Sequence, residues 1–168
     1  EWLDYILNTE YERMHIGNGD ISKDRFILNN LPELKNVLEN HCNNFVRKYL
    51  NVKENAKFYL QNSWSVKHNP GDKAQIHSHG NSLLSGVYYV QAEPNQGGIQ
   101  FERSDGAEYF LPEKNNKMTY FNCTRASYNA KSNALFIFPG WLKHSVEGNR
   151  SSNDRISISF NFGVSSDE

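Results

Sequence analysis

The most regular alternation in the chain is its last strand-like stretch, Arg155-Ile-Ser157-Ile-Ser159-Phe-Asn161-Phe162. Successive side chains of a β-strand point to opposite faces, so this stretch would carry four apolar side chains on one face and four polar ones on the other. We expect the apolar face to pack under a helix and the polar face to look into a barrel. A guanidinium and hydroxyls in such an interior need a polar partner, because an unpaired buried polar group costs about 1–3 kcal/mol.

Shorter strands precede this one and are separated by frequent turn residues. The predicted strands lie near 58–66, 77–79, 83–90, 99–102 and 134–138, after one amphipathic helix near 31–50. This order predicts a mainly β fold with helical cover, as an antiparallel sandwich or barrel. We expect a single domain over residues 1–168, with an N-terminal helical cover at 1–56 and the β core at 57–163.

The charge balance argues against nucleic-acid and membrane partners. The chain has 18 basic and 19 acidic residues, a net charge of -1 and no run of like charge. No apolar run approaches the roughly 18 residues of a membrane span. Cys42 and Cys123 show neither zinc nor disulfide spacing, so we expect a reducing, cytoplasmic setting. The sequence does not indicate an oligomeric state.

Three histidines stand in positions typical of a metal site. His77 and His79 are two residues apart in a segment predicted to be extended, which would point both imidazoles to one side. His144 follows the apolar run Ala134-Leu-Phe-Ile-Phe138. Imidazole suits Fe, Zn, Cu or Ni, and a three-residue set with open positions indicates catalysis. Iron held in this way could bind a 2-oxo acid and dioxygen, while an arginine holds the far carboxylate.

These blocks resemble the non-haem iron, 2-oxoglutarate-dependent oxygenases. The resemblance is strongest to a small bacterial and phage subgroup with the pattern His-x-His-x-x-Ser-x-x-Ser-Gly-Val-Tyr-Tyr, and it spans about residues 63–162. It implies a double-stranded β-helix, which is a cupin-like jelly roll, and Fe(II), 2-oxoglutarate and O2 as cofactors. It also implies a dioxygenase that hydroxylates a C–H bond of a peptidyl or small-molecule substrate and releases succinate and CO2.

The resemblance assigns roles to individual residues. His77 matches the first metal histidine of the family and His144 the distal one. Arg155 matches the arginine that pairs with the 5-carboxylate of 2-oxoglutarate, and Ser157 would add a hydroxyl to the same carboxylate. Tyr89 matches a position that often hydrogen-bonds that end of the cosubstrate.

The chain departs from the family pattern at one metal position. Most members have Asp or Glu where this chain has His79. Three neutral ligands would leave Fe(II) with charge +2 instead of +1. Either His79 is the third ligand, which we favour, or Glu102, Asp105 or a water completes the shell.

The sequence also predicts the surroundings of two further residues and the segments that form the substrate side. His68 stands beside the turn Asn69-Pro-Gly-Asp72 and is expected to be a solvated loop residue. Trp64 is expected in the core or in the pocket wall, and its strand is expected to contribute to the substrate side. The N-terminal segments and the aromatic loops within 104–133 are expected to form the substrate side.

Two other classes of function remain open at this point. A cupin-type enzyme with three histidines would not use 2-oxoglutarate, and its Arg155 would bind the substrate itself. A jelly-roll module without catalysis would bind a sugar or peptide. Arg155 could also form only a structural ion pair with Asp154 or Glu147. The sequence does not identify the substrate.

Overall fold

A computed structural model describes residues 2–103, 119 and 122–165 of the chain. The helices are α1 (Trp2–Leu7) and α2 (Pro32–Tyr49), with a 3₁₀ helix at Ile27–Asn30 before α2. The strands are β1 (Tyr11–Arg13), β2 (Asp20–Ser22), β3 (Lys57–His68), β4 (Ala74–His77), β5 (Leu84–Gln91), β6 (Gly98–Glu102), β7 (Arg125–Asn129), β8 (Leu135–Pro139), β9 (His144–Val146) and β10 (Arg155–Ser165). The predicted mainly β class is confirmed.

The strands form two antiparallel sheets. The larger sheet has the order β1-β2-β3-β10-β5-β8 and the smaller one the order β4-β9-β6-β7. Strands distant in sequence are neighbours in both sheets, because β10 lies between β3 and β5 and β9 lies between β4 and β6. These crossing connections produce the double-stranded β-helix, or jelly roll, and leave a cavity lined from both sheets.

Helix α2 covers the outer face of the larger sheet, as the alternation in β10 predicts. Its buried residues recur at every fourth position, so they lie on one face of the helix. They share one buried cluster with the apolar face of β10, and the members from these two elements are Leu34, Leu38, Cys42, Val46, Ile156, Ile158, Phe160 and Phe162. The predicted packing of β10 under a helix is therefore confirmed.

Gly86 allows β5 to approach the central strand closely. It is paired with Phe160 across the β5–β10 ladder. A Cβ atom added at Gly86 would overlap the aromatic ring of Phe160, which is fully buried. The absence of a side chain at Gly86 thus leaves space for the Phe160 ring in the core.

The N-terminal segment differs from the helical cover that we expected over residues 1–56. It also contains β1 and β2, which extend the larger sheet beyond β3. Each of these strands has three residues, too few for a period-2 pattern to be recognised in the sequence. The segment therefore contributes to the sheet as well as covering it.

The expectations for residues 104–133 can be compared with the structure only in part. Residues 104–118, 120 and 121 lie outside the described residues. Within the described part, β7 pairs with β6 at the edge of the smaller sheet.

Candidate active site

The three histidines predicted as metal ligands converge on one side of the cavity. His77 ends β4 and His144 begins β9, and the two are paired directly across these antiparallel strands. His79 lies two residues beyond the end of β4, where its backbone N–H donates to the carbonyl of Gly140 at 2.7 Å. One potential ligand atom from each of the three side chains lies within 4.8 Å of the others. The cluster could therefore chelate one metal ion.

The position of His79 differs from the expected one, although its side chain joins the cluster. The prediction treated His77 and His79 as residues of one strand, but β4 ends at His77. His79 lies in the irregular segment after β4, and its ring is 5.1 Å from that of His77 and 5.2 Å from that of His144, measured between ring centroids. Strand alternation alone therefore does not explain the cluster.

Backbone carbonyls determine which nitrogen of two rings is available to a metal. Nδ1 of His77 lies 2.7 Å from the carbonyl oxygen of Gln75, and Nδ1 of His144 lies 2.9 Å from that of Leu142. A carbonyl oxygen can only accept, so each Nδ1 carries the proton and donates it. In the neutral ring Nε2 then keeps its lone pair, as metal-binding histidines require.

Burial keeps these three rings neutral. It is the largest cause of a lowered pKa at His77, and it lowers the pKa of His79 to about 4, with a further contribution from His77. Burial also lowers the pKa of His144 to about 4, against the backbone hydrogen bond to Leu142, which raises it. Neutral imidazole is the form that binds a metal, so the site is suited to one at ordinary pH.

Glu102, one of the two carboxylates considered as alternative ligands, is not in this cluster. Oε1 of Glu102 accepts a hydrogen bond from Arg125 at 2.8 Å. Asp105 lies outside the described residues. Among the described His, Cys, Asp and Glu side chains, the group that could hold a metal contains His77, His79 and His144 alone.

Arg155 lines the same cavity and is almost fully buried, with 1% of its surface exposed. Its Nη1 donates to the backbone carbonyl of Gln96, and Nη1 and Nη2 both lie 3.5 Å from the carbonyl of Glu147. Its Nε has no hydrogen-bond partner within the described part of the chain. The ion pair with Asp154 or Glu147 considered above is not formed, because the contacts to Glu147 are made by its backbone.

Burial also lowers the pKa of Arg155, against nearby groups that raise it. A buried cation is costly unless an anion compensates for it. Since no described carboxylate pairs with this guanidinium, the cavity is suited to an anionic ligand.

Two hydroxyl groups lie on the same side of the sheet as Arg155. Ser157 and Tyr89 are paired across the β10–β5 ladder and are 5% and 2% exposed. Burial raises the pKa of Tyr89 to about 12, so its phenol stays protonated and can donate. Both residues line the cavity, as their predicted role requires.

Polar groups also line the β10 face farther along the strand. Oγ of Ser85 donates to Oδ1 of Asn161 at 2.7 Å, and Nδ2 of Asn161 donates to Oδ1 of Asn62 at 2.8 Å. Ser159 lies between this chain of hydrogen bonds and Ser157 along β10. The predicted polar face of β10 toward the interior is thus confirmed.

Trp64 is in the cavity wall, as expected, and its ring lies 6.1 Å from that of His79 between centroids. It is next to the histidine cluster, so it could contact a substrate there.

His68 was predicted wrongly. It is 3% exposed and lines the cavity instead of standing in a solvated loop. Strand β3 runs through His68 before the turn begins, whereas the prediction ended the strand at Val66. Continuing the alternation of Trp64 and Val66 by one more step would have placed His68 on the interior face.

The fold and the two groups of side chains define a class of protein, a double-stranded β-helix with a three-histidine cluster and a buried cation in one cavity. Residues 62–161 match a protein-family model described as "Putative 2OG-Fe(II) oxygenase". The chain therefore belongs to the 2OG-Fe(II) oxygenase family, whose cofactors are Fe(II), 2-oxoglutarate and O2.

Solved structures share this fold at low sequence identity. A prolyl-4-hydroxylase from Pseudomonas putida has 14% identity and a TM-score of 0.60, over 92% of this chain and 77% of that one. The α-ketoglutarate-dependent epimerase SnoN of nogalamycin biosynthesis has 11% identity and a TM-score of 0.66, over 96% and 69%. HygX from Streptomyces hygroscopicus, with nickel and 2-oxoglutarate bound, has 10% identity and a TM-score of 0.65, over 96% and 76%.

A comparison with curated proteins found no match. Among the described residues, no helix has the length and apolar character needed to cross a membrane.

Proposed function

We propose that this protein is an Fe(II)- and 2-oxoglutarate-dependent dioxygenase that hydroxylates a C–H bond of a peptidyl or small-molecule substrate. His77, His79 and His144 would be the metal ligands. Arg155 would bind the 5-carboxylate of 2-oxoglutarate together with Ser157, and Tyr89 would lie at the same end.

One observation carries this proposal. The Arg155 guanidinium is buried in the cavity that also contains the three histidines, and its Nε lacks a partner among the described residues. A cosubstrate with a carboxylate at each end would meet both needs, because one end can chelate a metal and the other can neutralise the guanidinium.

The protein residues would then position the reactants. Arg155 is held by carbonyls from two loops, so its guanidinium is oriented before a ligand arrives. The neutral phenol of Tyr89 and the hydroxyl of Ser157 can donate to the same anion. The Fe(II) centre with 2-oxoglutarate and dioxygen supplies the oxidising power, while these side chains supply orientation and a site shielded from water.

The substrate would reach the histidine cluster beside Trp64. The similar fold serves a prolyl-4-hydroxylase and an epimerase, so hydroxylation is the outcome that we propose from the family resemblance and not from the fold. We also propose a cytoplasmic location, supported by the two cysteines, which show no disulfide spacing in the sequence.

The test is an anaerobic titration of the metal-free protein with Fe(II) and then 2-oxoglutarate. A chelated 2-oxo acid gives a weak visible charge-transfer band, which would report binding at the metal. We expect this band in the wild type and binding weakened about 30-fold or more in Arg155→Ala, because removing one partner of a buried charge pair costs about 2 kcal/mol or more.

Two further variants test the metal shell. We expect His79→Ala to lose stoichiometric iron, whereas Glu102→Gln should keep iron and the band, because its carboxylate is engaged by Arg125. The reverse result would assign the third ligand to Glu102.

A cupin-type enzyme that does not use 2-oxoglutarate is the second candidate, favoured by the histidine at the position where most of the family has a carboxylate. Bound iron without a band, and with no dependence of turnover on 2-oxoglutarate, would select this candidate.

A further inference from the structure

His68 stands directly opposite Arg155 in the β3–β10 ladder. Cross-strand partners in an antiparallel pair point to the same face, with Cβ atoms about 4.5–5.5 Å apart. Tyr89 flanks the same strand from the other side, since it is paired with Ser157. Three adjacent strands therefore present His68, Arg155, Ser157 and Tyr89 to one region of the cavity.

The ring of His68 is unusual because neither of its nitrogens has a hydrogen-bond partner within the described part of the chain. Only 3% of the surface of His68 is exposed, and the residue lines the cavity. A histidine with only a packing role normally satisfies at least one nitrogen, since leaving both unpaired in a buried site is unfavourable. The two unpaired ring nitrogens therefore indicate that His68 forms a hydrogen bond with a bound ligand.

Burial is the main reason that the pKa of His68 falls to about 3, and the Arg155 cation adds to the effect. The ring is therefore neutral at ordinary pH and has one N–H and one lone pair. It can donate a hydrogen bond without adding a second buried positive charge next to Arg155.

The fold holds this ring in place from behind. A Cβ atom at Gly19 would lie 3.1 Å from Cδ2 of His68, so the turn between β1 and β2 leaves the ring little room to withdraw. The backbone carbonyl of His68 accepts from Nδ2 of Asn149 at 2.9 Å. Asn149 belongs to the loop that follows β9, and Glu147 of that loop contacts Arg155.

The number of donors matches the needs of a carboxylate. An ionised carboxylate has about four acceptor positions. Three donors line this part of the cavity, namely Nε of Arg155, which has no partner among the described residues, and the hydroxyls of Ser157 and Tyr89. The N–H of His68 supplies a fourth from the opposite strand.

We propose that His68 is a further cosubstrate-binding residue, which donates a hydrogen bond to the distal carboxylate of 2-oxoglutarate beside Arg155. The inference rests on the proposed function, because it assumes that the anion in this part of the cavity is 2-oxoglutarate. It adds a specificity-determining contact for a five-carbon dicarboxylate over a 2-oxo monoacid.

The experiment measures binding of two ligands to the Fe(II)-loaded protein under anaerobic conditions by calorimetry. The ligands are 2-oxoglutarate and 2-oxopentanoate, which has the same carbon chain but no distal carboxylate. We expect His68→Phe to weaken 2-oxoglutarate about tenfold, as expected for a lost hydrogen bond to a charged group, and to leave 2-oxopentanoate unchanged.

Two variants restore a donor. His68→Asn and His68→Gln place an amide N–H near the positions of Nδ1 and Nε2, and we expect at least one to bind 2-oxoglutarate within about threefold of the wild type. His41→Ala is the matched control, because His41 is exposed on α2. Circular dichroism would show that each variant is folded, and His68→Leu replaces His68→Phe if the larger ring prevents folding.

The outcomes separate the two proposals. If the wild type binds no 2-oxoglutarate, the proposed function fails and this inference fails with it. If the wild type binds it and folded His68→Phe or His68→Leu binds it equally well, only the inference is overturned. Equal weakening of both ligands would also overturn it, because the role of His68 would then be structural.

Discussion

The two faces of β10 have opposite surroundings although they belong to one strand. The face toward α2 is apolar and buried, and it is formed by Ile156, Ile158, Phe160 and Phe162. The other face lines the cavity with Arg155, Ser157, Ser159 and Asn161. The first face stabilises the fold and the second remains available to a ligand. Substitutions on the two faces should therefore affect different measurements.

The largest effect on stability is expected from the apolar face. We expect Ile158→Ala to lower the free energy of unfolding by about 2–5 kcal/mol, because the residue is fully buried and its loss leaves a cavity. The adjacent variant Ser159→Ala should change it by about 0.5 kcal/mol or less, since that hydroxyl faces the cavity. Urea denaturation of both variants measures the difference. Equal losses would show that the two faces do not divide the roles in this way.

A smaller effect is expected where β5 approaches the apolar face. Gly86→Ala would bring a methyl group into the ring of Phe160, and we expect a loss of about 1–3 kcal/mol from overpacking. Gly80→Ala is the control, because a Cβ atom there would have no neighbour within 4 Å and the position is exposed. Unchanged thermal stability of Gly86→Ala would mean that the Phe160 ring has room to move.

The effect of acid concerns the cavity-facing side of β3, next to β10. The pKa of His68 is about 3 in the folded protein and near 6.5 without burial. Between these values the unfolded chain binds a proton that the folded chain does not, so stability falls as the pH is lowered from about 6.5. For one proton the slope approaches about 1.4 kcal/mol per pH unit.

Metal-free protein should therefore lose stability between about pH 6 and pH 4. His68→Phe should reduce the slope of stability against pH by about 1.4 kcal/mol per pH unit, the value for one proton. Denaturation at several pH values measures both slopes. Identical slopes for the wild type and His68→Phe would contradict the burial of a neutral ring.

Much of the fold could be predicted because its patterns are local. The alternation in β10 and the helical spacing in α2 lie within single elements, so both were predicted close to their actual bounds. The short strands β1 and β2 were missed because three residues show no clear period. The end of β3 was placed too early because the following turn residues masked one further step of alternation.

Only the residue types that form the site could be predicted from the sequence. The residue types in the histidine and arginine blocks indicated a metal and an anion, and the assignment of His77, His79 and His144 as ligands stays a prediction. The short distance between the three rings depends on the β4–β9 pairing and on the segment after β4, where the backbone N–H of His79 donates to the carbonyl of Gly140. Neither follows from the spacing of residues in the chain.

The sequence by itself determined helix α2, the position of most longer strands, the two-faced character of β10 and the resemblance to the family. The tertiary structure alone decided that His68 lies opposite Arg155 and that the guanidinium is held by backbone carbonyls of two loops. The physical reason is that side-chain periodicity acts over a few residues, whereas strand register is set by hydrogen bonds between segments far apart in the chain.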